Sequence, residues 1–314
     1  MNTERHLLVV GGGTMGVDIA ASFAIYGWAV TIVNPADGRF ESIQDRFDLA
    51  IARLGRPASS RPALVQALSQ AQWARIDLVI EAAPESLPIK QSIFQELEIL
   101  ARPETPLCSN SSALPISSIG QGLRSQHRML GTHYFMPAHL VPGVEVVCSA
   151  KTDPAVADAV ADVLRAVGKV PIRVKRDLPG FLVNRLQHAV SREALSLMDQ
   201  GIVSAEDIDA AVRFGFGFRY LAAGPCLQRD HAGLDIHHAA AGSIYPDLCN
   251  DAQPSASLAR LVSEGAMGMK AGRGFYAWTP EQIASERERY ETLLAAASEL
   301  LAAEISEARD RKSD

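Results

Sequence analysis

A glycine-rich turn near the N-terminus constrains the fold of this chain more than any other feature. The apolar run at residues 6–10 (HLLVV) is long enough for one buried strand, and residues 11–16 (GGGTMG) follow it directly. Apolar residues then recur at helical spacing, at Ile19, Ala20 and Phe23. The pattern therefore predicts a buried parallel strand, a tight turn and a helix, which is the local geometry that binds a dinucleotide.

Each part of this turn has a separate expected role. Gly11 permits the tight turn, Gly13 lets the backbone approach a pyrophosphate, and Gly16 lets the helix pack closely on the strand. The helix N-terminus at Thr14 and Met15 offers unpaired amides and the positive end of the helix dipole to the phosphates. We therefore predict that these five residues bind a dinucleotide cofactor.

The residue after the second predicted strand, at residues 29–33 (AVTIV), bears on the choice between NAD and NADP. NAD-binding chains usually carry Asp or Glu here to accept a hydrogen bond from the ribose 2′-hydroxyl, but this chain has Asn34. An amide oxygen can accept that bond, although it lacks the charge that repels a 2′-phosphate. Asp37 could substitute for the missing acid, and Arg39 lies close in sequence. We expect NAD, with NADP as the alternative.

The composition is that of a globular enzyme with two domains. The 314 residues exceed one average domain, and 47% of them are apolar and 21% charged. The net charge of −6 argues against general affinity for nucleic acid or membranes, and no run approaches the ~20 apolar residues of a membrane span. Four scattered cysteines without CxxC spacing predict neither a zinc site nor a disulfide framework, and they favour a cytoplasmic location.

Strand and helix patterns alternate as far as about residue 175, and mainly helical patterns follow. The predicted strands also include residues 77–80, 106–109, 129–135, 144–148 and 170–174, and the predicted helices include residues 40–54, 62–70, 89–100 and 155–167. Such alternation implies a mostly parallel sheet with helices on both faces. We therefore predict an α/β fold with a Rossmann-like domain at residues 1–177 and an all-α domain at residues 178–314.

A histidine and a glutamate form a candidate catalytic pair. His133 lies near the end of one predicted strand and Glu145 near the start of the next, with Pro137, Pro142 and Gly143 between them. If the two strands fold back on each other, the side chains could meet, and a carboxylate would then fix the tautomer of an imidazole base and stabilise its cation. The alternative is a strand-end histidine beside a surface glutamate without chemistry, but the nucleotide site upstream favours the catalytic interpretation.

Seven segments, in order along the chain, resemble the L-3-hydroxyacyl-CoA dehydrogenase family. They are residues 11–16 (GGGTMG), 77–90 (DLVIEAAPESLPIK), 109–116 (SNSSALPI), 131–147 (GTHYFMPAHLVPGVEVV), 179–186 (PGFLVNRL), 223–235 (AGPCLQRDHAGLD) and 269–278 (MKAGRGFYAW). The resemblance implies a Rossmann-like N-terminal domain and a helical C-terminal domain through which subunits dimerise. It also implies reversible hydride transfer from the 3-hydroxyl carbon of an acyl-CoA to NAD. We therefore expect a homodimer that acts on a small-molecule substrate.

The resemblance assigns roles to four catalytic residues. His133 matches the general base, and Glu145 matches the carboxylate that orients it. Ser112 matches a hydroxyl that bonds the substrate oxygen, and Asn184 matches an amide that helps to polarise the carbonyl as it forms. From the residues alone, Ser112 could instead cap a turn and Asn184 could tie a helix to the sheet.

Further residues are expected to contact the cofactor or the substrate. Glu85, Lys90 and Lys270 match cofactor contacts of the family, although Lys90 by itself is more simply interpreted as part of a solvated helix face. Arg219 is our expected anchor for a substrate carboxylate, because a guanidinium binds a carboxylate through two hydrogen bonds. We expect no metal.

Two departures from the family pattern bear on the substrate. Met136 stands where the family has Asn, and a thioether cannot donate a hydrogen bond. The chain is also short between residues 34 and 77, where fatty-acid enzymes carry a helical arm that helps to hold CoA, although Arg53, Arg56 and Arg61 could still meet phosphates. We expect oxidation of a 3-hydroxyacyl-CoA. The alternatives are a dehydrogenase of a free 3-hydroxy acid or small polar alcohol, and a non-catalytic NAD-binding or structural protein.

Overall fold

The structure is a computed structural model that describes residues 5–310, apart from the side chains of Asp37 and of residues 308–310. The chain folds into two compact units, which are described separately. Among the described residues, the first comprises residues 5–184 and 293–310, and the second comprises Arg185–Thr292. The domain boundary near residue 177 remains a prediction from the sequence.

An eight-stranded sheet forms the centre of the first unit. Its strands are β1 (His6–Val10), β2 (Ala29–Val33), β3 (Ala63–Val65), β4 (Leu78–Glu81), β5 (Leu107–Ser109), β6 (Met129–Tyr134), β7 (Gly143–Cys148) and β8 (Val170–Val174). They lie in the order β3-β2-β1-β4-β5-β6-β7-β8. Neighbouring strands are parallel except for β6 and β7, which pair antiparallel. The predicted Rossmann-like, mostly parallel sheet is confirmed.

Helices cover both faces of this sheet. In chain order, the α-helices of the described residues are α1 (Thr14–Ala24), α2 (Phe40–Leu54), α3 (Leu87–Leu100), α4 (Ile116–Ile119), α5 (Pro154–Ala166), α6 (Val183–Asp199), α7 (Ala205–Ala210), α8 (Gly217–Arg219), α9 (Pro225–Ala232), α10 (Leu234–Ile244), α11 (Ala256–Ser263), α12 (Pro280–Leu300) and α13 (Ala302–Asp310). Alternate residues of β1 enter two different cores, because Leu7 and Val9 pack with α1, α2 and α5 while Leu8 and Val10 pack with α3. The helix α13 contacts α5 and β8, so it belongs to the first unit.

The predicted helix at residues 62–70 is wrong. Its first part forms β3, which pairs in parallel with β2 so that Thr31 lies opposite Ala63, and only Leu68–Gln70 forms a short 3₁₀ turn. Alanine, leucine and glutamine favour a helix locally, but the open edge of the sheet offers backbone hydrogen bonds that override this preference. Residues 55–62, which link α2 to β3, contain no helix.

The second unit is helical, as predicted. It contains most of α6, the helices α7 to α11 and most of α12, and a π-helical segment at Ala211–Phe216 continues α7. Within the described part of this unit, β structure is limited to isolated bridges at Gly268, Arg273 and Ala277. Among residues 5–310, no helix has both the length and the apolar character needed to cross a membrane.

Candidate active site

The glycine turn between β1 and α1 has the geometry that a dinucleotide phosphate requires. Gly11 has a φ of +118°, and a Cβ there would lie 2.6 Å from the carbonyl oxygen of Ala82. A Cβ on Gly16 would overlap the carbonyl oxygen of Gly11, whereas a Cβ on Gly13 would meet no atom within 4 Å. No side chain caps the first turn of α1 at Gly13. The turn is therefore closed where the strand and helix pack and open above the helix N-terminus, which fits a pyrophosphate.

Asn34 lies at the end of β2, beside this turn. Its backbone N–H donates to the carbonyl of Val65 in β3 at 2.8 Å, and its Nδ2 donates to the carbonyl of Ala36 at 2.8 Å. Because Nδ2 is engaged in this way, Oδ1 is left as an acceptor, and it lies 3.1 Å from the position that a Cβ on Gly12 would take. The role of Asn34 as an acceptor for the ribose hydroxyl remains a prediction. The alternative acid Asp37 has a side chain outside the described residues.

His133 and Glu145 meet as the sequence predicts. They lie directly opposite each other in the antiparallel pair β6 and β7, and Nδ1 of His133 is 2.6 Å from Oε2 of Glu145. Both side chains are buried. The other carboxylate oxygen of Glu145 accepts from the backbone amides of Leu182 and Val183, both at 2.8 Å. The carboxylate is therefore held at both oxygens, and it holds the imidazole in turn.

The protonation state of Glu145 determines the tautomer of His133. Burial raises the pKa of Glu145, but the hydrogen bonds from His133, Val183 and Leu182 outweigh burial and keep that pKa below its ordinary value. An ionised carboxylate can only accept, so Nδ1 of His133 is the donor in their hydrogen bond. Nε2 of the neutral imidazole then carries the free lone pair of a general base. The ring packs edge-on against Phe135 at 4.7 Å and Phe181 at 5.7 Å between centroids.

Glu85 shapes the loop that carries Ser112. Its Oε1 accepts from the hydroxyl of Ser111 at 2.6 Å and from the amides of Ser112 and Ala113, each at 3.0 Å. Burial raises the pKa of Glu85, but these hydrogen bonds and the charge of Lys90 outweigh burial and keep that pKa below its ordinary value. An ionised Glu85 therefore acts within the protein as an anchor of this loop.

Asn184 lies beside the same loop. Its Nδ2 donates to the backbone carbonyl of Ser112 at 3.2 Å, so the two predicted catalytic side chains belong to one local structure. Asn110, earlier in the loop, accepts through Oδ1 from the backbone N–H of Tyr134 at 2.9 Å, next to His133. The contacts join the Ser112 loop to β6. The catalytic roles of Ser112 and Asn184 remain predictions.

Lys90 is buried, so the interpretation of Lys90 as part of a solvated helix face is wrong. Its ammonium donates to both carboxylate oxygens of Glu81, at 2.7 and 2.9 Å, and to the carbonyl of Ala83 at 3.3 Å, and it lies 3.5 Å from Glu85. Glu81 also accepts from the hydroxyl of Ser109 at 2.6 Å. The ammonium is thus engaged by protein groups, and its contact to the cofactor remains a prediction.

Glu81 and Ser109 contact the predicted site residue Lys90 directly or through one another, and neither was predicted from the sequence. They pair across the parallel strands β4 and β5, at the carboxyl ends where ligands of α/β sheets bind. Each ends its strand, and this position was the signal that could have identified them. Together with Lys90 they form a buried polar group between the glycine turn and the Ser112 loop.

Two predicted site residues lie in the second unit. Lys270 belongs to the 3₁₀ turn Met269–Ala271, and Arg219 is the last residue of α8. Both residues are exposed. Their contacts to cofactor and substrate remain predictions.

Two family models match most of the chain. The model described as "3-hydroxyacyl-CoA dehydrogenase, NAD binding domain" matches residues 6–178, and the model described as "3-hydroxyacyl-CoA dehydrogenase, C-terminal domain" matches residues 180–278. The chain belongs to the 3-hydroxyacyl-CoA dehydrogenase family. It is an NAD-dependent dehydrogenase that acts on CH–OH groups, which confirms the resemblance, the enzyme class and the cofactor expected from the sequence.

Relatives in this family are named for different kinds of substrate. The 5-formyl-3-hydroxy-2-methylpyridine 4-carboxylate 5-dehydrogenase of Mesorhizobium japonicum is 31% identical over 303 residues, which cover 93% of this chain and 96% of the relative. The mitochondrial hydroxyacyl-coenzyme A dehydrogenase of Homo sapiens is 32% identical over 288 residues, which cover 87% of this chain and 90% of the relative. Membership of the family alone therefore does not determine whether the substrate is a CoA ester or a free acid.

Solved structures differ in how well they superpose on this chain. The crystal structure of a 5-formyl-3-hydroxy-2-methylpyridine 4-carboxylic acid 5-dehydrogenase, described as an NAD⁺-dependent dismutase, has a TM-score of 0.90 at 30% identity and covers 95% of this chain and 99% of its own. The (S)-3-hydroxybutyryl-CoA dehydrogenase of Ralstonia eutropha has a TM-score of 0.71 at 27% identity and covers 88% of this chain and 99% of its own. The pyridine enzyme is the better structural match of the two.

Proposed function

We propose that this protein oxidises the hydroxyl group of a small, free hydroxy acid or ring alcohol with NAD. The observation that carries the choice of substrate is the TM-score of 0.90 with a dehydrogenase named for a free pyridine carboxylic acid. Two features of the chain agree with it. Between residues 34 and 77, where fatty-acid enzymes carry the helical arm, α2 is the only α-helix of the described chain, and residues 55–62 link it directly to β3. Met136, which is 63% exposed, replaces the hydrogen-bonding Asn of the family.

The proposed chemistry follows from the state of the histidine. Nε2 of His133 takes the hydroxyl proton of the substrate, and Glu145 stabilises the imidazolium that forms. NAD, when bound, supplies the acceptor for the hydride on the same carbon, so that the alcohol becomes a carbonyl. Ser112 and Asn184 donate hydrogen bonds to the oxygen as its charge develops. Gly11, Gly13, Gly16 and the first turn of α1 hold the pyrophosphate.

The remaining predicted contacts keep their roles in this proposal. Asn34 accepts from the adenosine ribose, and Lys270 contacts the cofactor. Glu85 and Lys90 contact the cofactor, and Glu85 also holds the loop of Ser112 through its hydrogen bonds. Arg219 binds the carboxylate of the substrate through two hydrogen bonds.

A CoA ester is the second candidate substrate, and the family match favours it. The arginines that could meet CoA phosphates have other partners. Arg61 forms an ion pair with Asp48, and the guanidinium of Arg56 stacks over the ring of Tyr26 at 4.9 Å. Arg53 also has a partner. A CoA phosphate would have to compete with these contacts.

The test compares kcat/KM for NADH formation from (S)-3-hydroxybutyryl-CoA, from free (S)-3-hydroxybutyrate, and from 5-formyl-3-hydroxy-2-methylpyridine 4-carboxylate. The formyl group of the pyridine acid presents a CH–OH donor only as its hydrate, so its oxidation yields a carboxylate. We expect a rate with at least one free acid that exceeds the rate with the CoA ester, and we expect Arg219→Met to raise KM for that acid. A rate with the CoA ester only would refute the proposed substrate class. NADH binding without turnover of either free acid would also refute the proposed substrate class.

The homodimer and the cytoplasmic location are retained as proposals. The second unit exposes large apolar side chains, with Phe214 72%, Ile236 65% and Tyr245 62% exposed, and burying them would stabilise a dimer. Light scattering at micromolar concentration tests the dimer, and a monomeric mass would contradict it.

A further inference from the structure

A buried polar cluster lies beneath the helix that follows the glycine turn. Asp18, in the first half of α1, is fully buried, and its Oδ1 accepts from the guanidinium of Arg46 in α2 at 2.8 Å. Its Oδ2 lies 3.1 Å from Nδ1 of His139, in contact but outside hydrogen-bond geometry. The side chains of Asp18 and His139 are each 1% exposed. Burying charged and polar side chains costs free energy, so we expect this cluster to have a function beyond stability.

Lys169 extends the cluster and engages a single loop. It lies between α5 and β8, it is buried, and its ammonium donates to the carbonyls of Ala138 at 2.7 Å, Val141 at 2.9 Å and His139 at 3.5 Å. Three carbonyls match the three donors of an ammonium group. Burial lowers the pKa of Lys169 to about 7, and the charge of Asp18 opposes that lowering. The loop is thus hydrogen-bonded to Lys169 through its backbone carbonyls, and its His139 side chain lies in contact with Asp18 of α1.

This loop, residues 135–142, joins β6, which carries His133, to β7, which carries Glu145. It begins with Phe135, whose ring packs edge-on against the ring of His133. It ends directly before β7, the strand of Glu145. The strand β7 pairs in parallel with β8, which starts directly after Lys169. The cluster therefore connects the imidazole with the helix whose N-terminus belongs to the cofactor site.

We propose that Asp18, His139 and Lys169 are positioning residues that fix the loop 135–142, and through Phe135 the ring of His133, relative to the glycine-turn helix. The inference rests on the proposed role of His133 as the base. A displacement of about 1 Å between reacting groups can lower a rate on the order of 10²-fold. A cluster that acts on the loop is thus expected to affect turnover more than binding.

The first test observes the ring of His133 and needs no substrate. Histidine-specific ¹⁵N labelling, with His133→Gln to assign the signals, compares the wild type with Lys169→Met and with the exposed-lysine control Lys151→Met. We expect the His133 signals to move in Lys169→Met and to stay in place in the control. Unchanged signals in a folded Lys169→Met protein would overturn the inference. If Lys169→Met does not fold, His139→Gln replaces it under the same criteria.

The second test separates turnover from binding. We expect Lys169→Met to lower kcat roughly 10- to 100-fold while KM and the Kd for NADH stay within about twofold of the wild type. A folded variant with the kcat of the wild type would overturn the positioning role, and a parallel loss of NADH affinity would assign the cluster to the cofactor turn instead. If the wild type itself shows no turnover, the proposed function fails, while the ¹⁵N signals still decide whether the cluster positions His133.

Discussion

Replacing the buried carboxylate beside the base, Glu145→Gln, is the most informative change to the site. Glutamine has the same shape, and its carbonyl oxygen can still accept from the amides of Leu182 and Val183. Its NH₂ group, however, would face Nδ1 of His133, where the carboxylate now accepts at 2.6 Å. An NH₂ donor favours the tautomer with the proton on Nε2, and this tautomer cannot take a proton from the substrate.

The size of the effect follows from these contacts. A general base contributes about 10²–10⁴ in rate, and the variant loses both the correct tautomer and the charge that stabilises the imidazolium. We therefore expect kcat to fall roughly 10³- to 10⁴-fold, which corresponds to about 4–5.5 kcal/mol of transition-state stabilisation. The Kd for NADH should hardly change, because Glu145 lies on the hairpin of β6 and β7 and not in the glycine turn.

The assay is NADH formation from the preferred hydroxy substrate, together with NADH binding by fluorescence. The exposed carboxylate Glu96 offers a matched control, and Glu96→Gln should retain the activity of the wild type. If folded Glu145→Gln kept more than about a tenth of the kcat of the wild type, the carboxylate would serve only to hold the start of α6.

Three further predictions follow from the geometry. Gly13→Ala should leave the melting temperature unchanged but weaken NADH binding, because its Cβ meets no protein atom yet enters the space expected for the pyrophosphate. Gly16→Ala should instead lower the melting temperature, because its Cβ overlaps the carbonyl oxygen of Gly11. Equal losses of NADH affinity and of stability in both variants would contradict this expectation. The pKa of Glu145 is lower in the folded protein than in the unfolded chain, so the ionised carboxylate stabilises the fold at any pH above the unfolded pKa of about 4.3. This stabilisation is lost as the pH falls through the pKa of Glu145 in the folded protein. The difference in unfolding free energy between the wild type and Glu145→Gln, measured by urea titration, should therefore shrink below about pH 4.3, and a difference independent of pH would count against an ionised Glu145. Met136→Asn should raise kcat/KM for the CoA ester relative to the free acid, and an unchanged ratio would remove Met136 as a determinant of the substrate.

The parts of the site that lie at strand ends could be predicted from the sequence. The glycine turn follows β1, and His133 and Glu145 lie on neighbouring strands, so local patterns with one hairpin connection suffice to bring them together. Asn34 follows β2 in the same way. The cofactor predictions depend on chain order and on the rule that the carboxyl ends of parallel strands share one edge, whereas the pairing of His133 with Glu145 depends on the antiparallel hairpin of β6 and β7.

The burial of Lys90 could not be predicted from local sequence patterns. Lys90, Phe94 and Leu97 lie at the spacing of one helix face, and all three are buried in α3. The spacing was visible, but a lysine is normally placed outside unless a partner is known. That partner, Glu81, lies at the end of β4, and only the packed fold brings the two together.

Two elements were mispredicted or missed because local signals conflicted with the packed structure. The stretch that forms β3 has helix-favouring residues, and its strand exists because β2 offers an unpaired edge. The helical patterns recognised after residue 177, at residues 181–199, 205–214, 234–243, 258–264 and 280–308, do not include α9. This helix follows Gly224 and starts at Pro225, a pair that usually marks a turn, but proline also suits the first position of a helix.

The most direct test of His133 as the general base compares the kcat of His133→Gln with that of the wild type, with the Kd for NADH measured on both proteins. We predict that kcat falls about 10²–10⁴-fold while the Kd stays within about twofold, because the ring acts on the substrate proton and not on the cofactor. A His133→Gln protein that binds NADH and turns over at the rate of the wild type would contradict the assignment of His133 as the base.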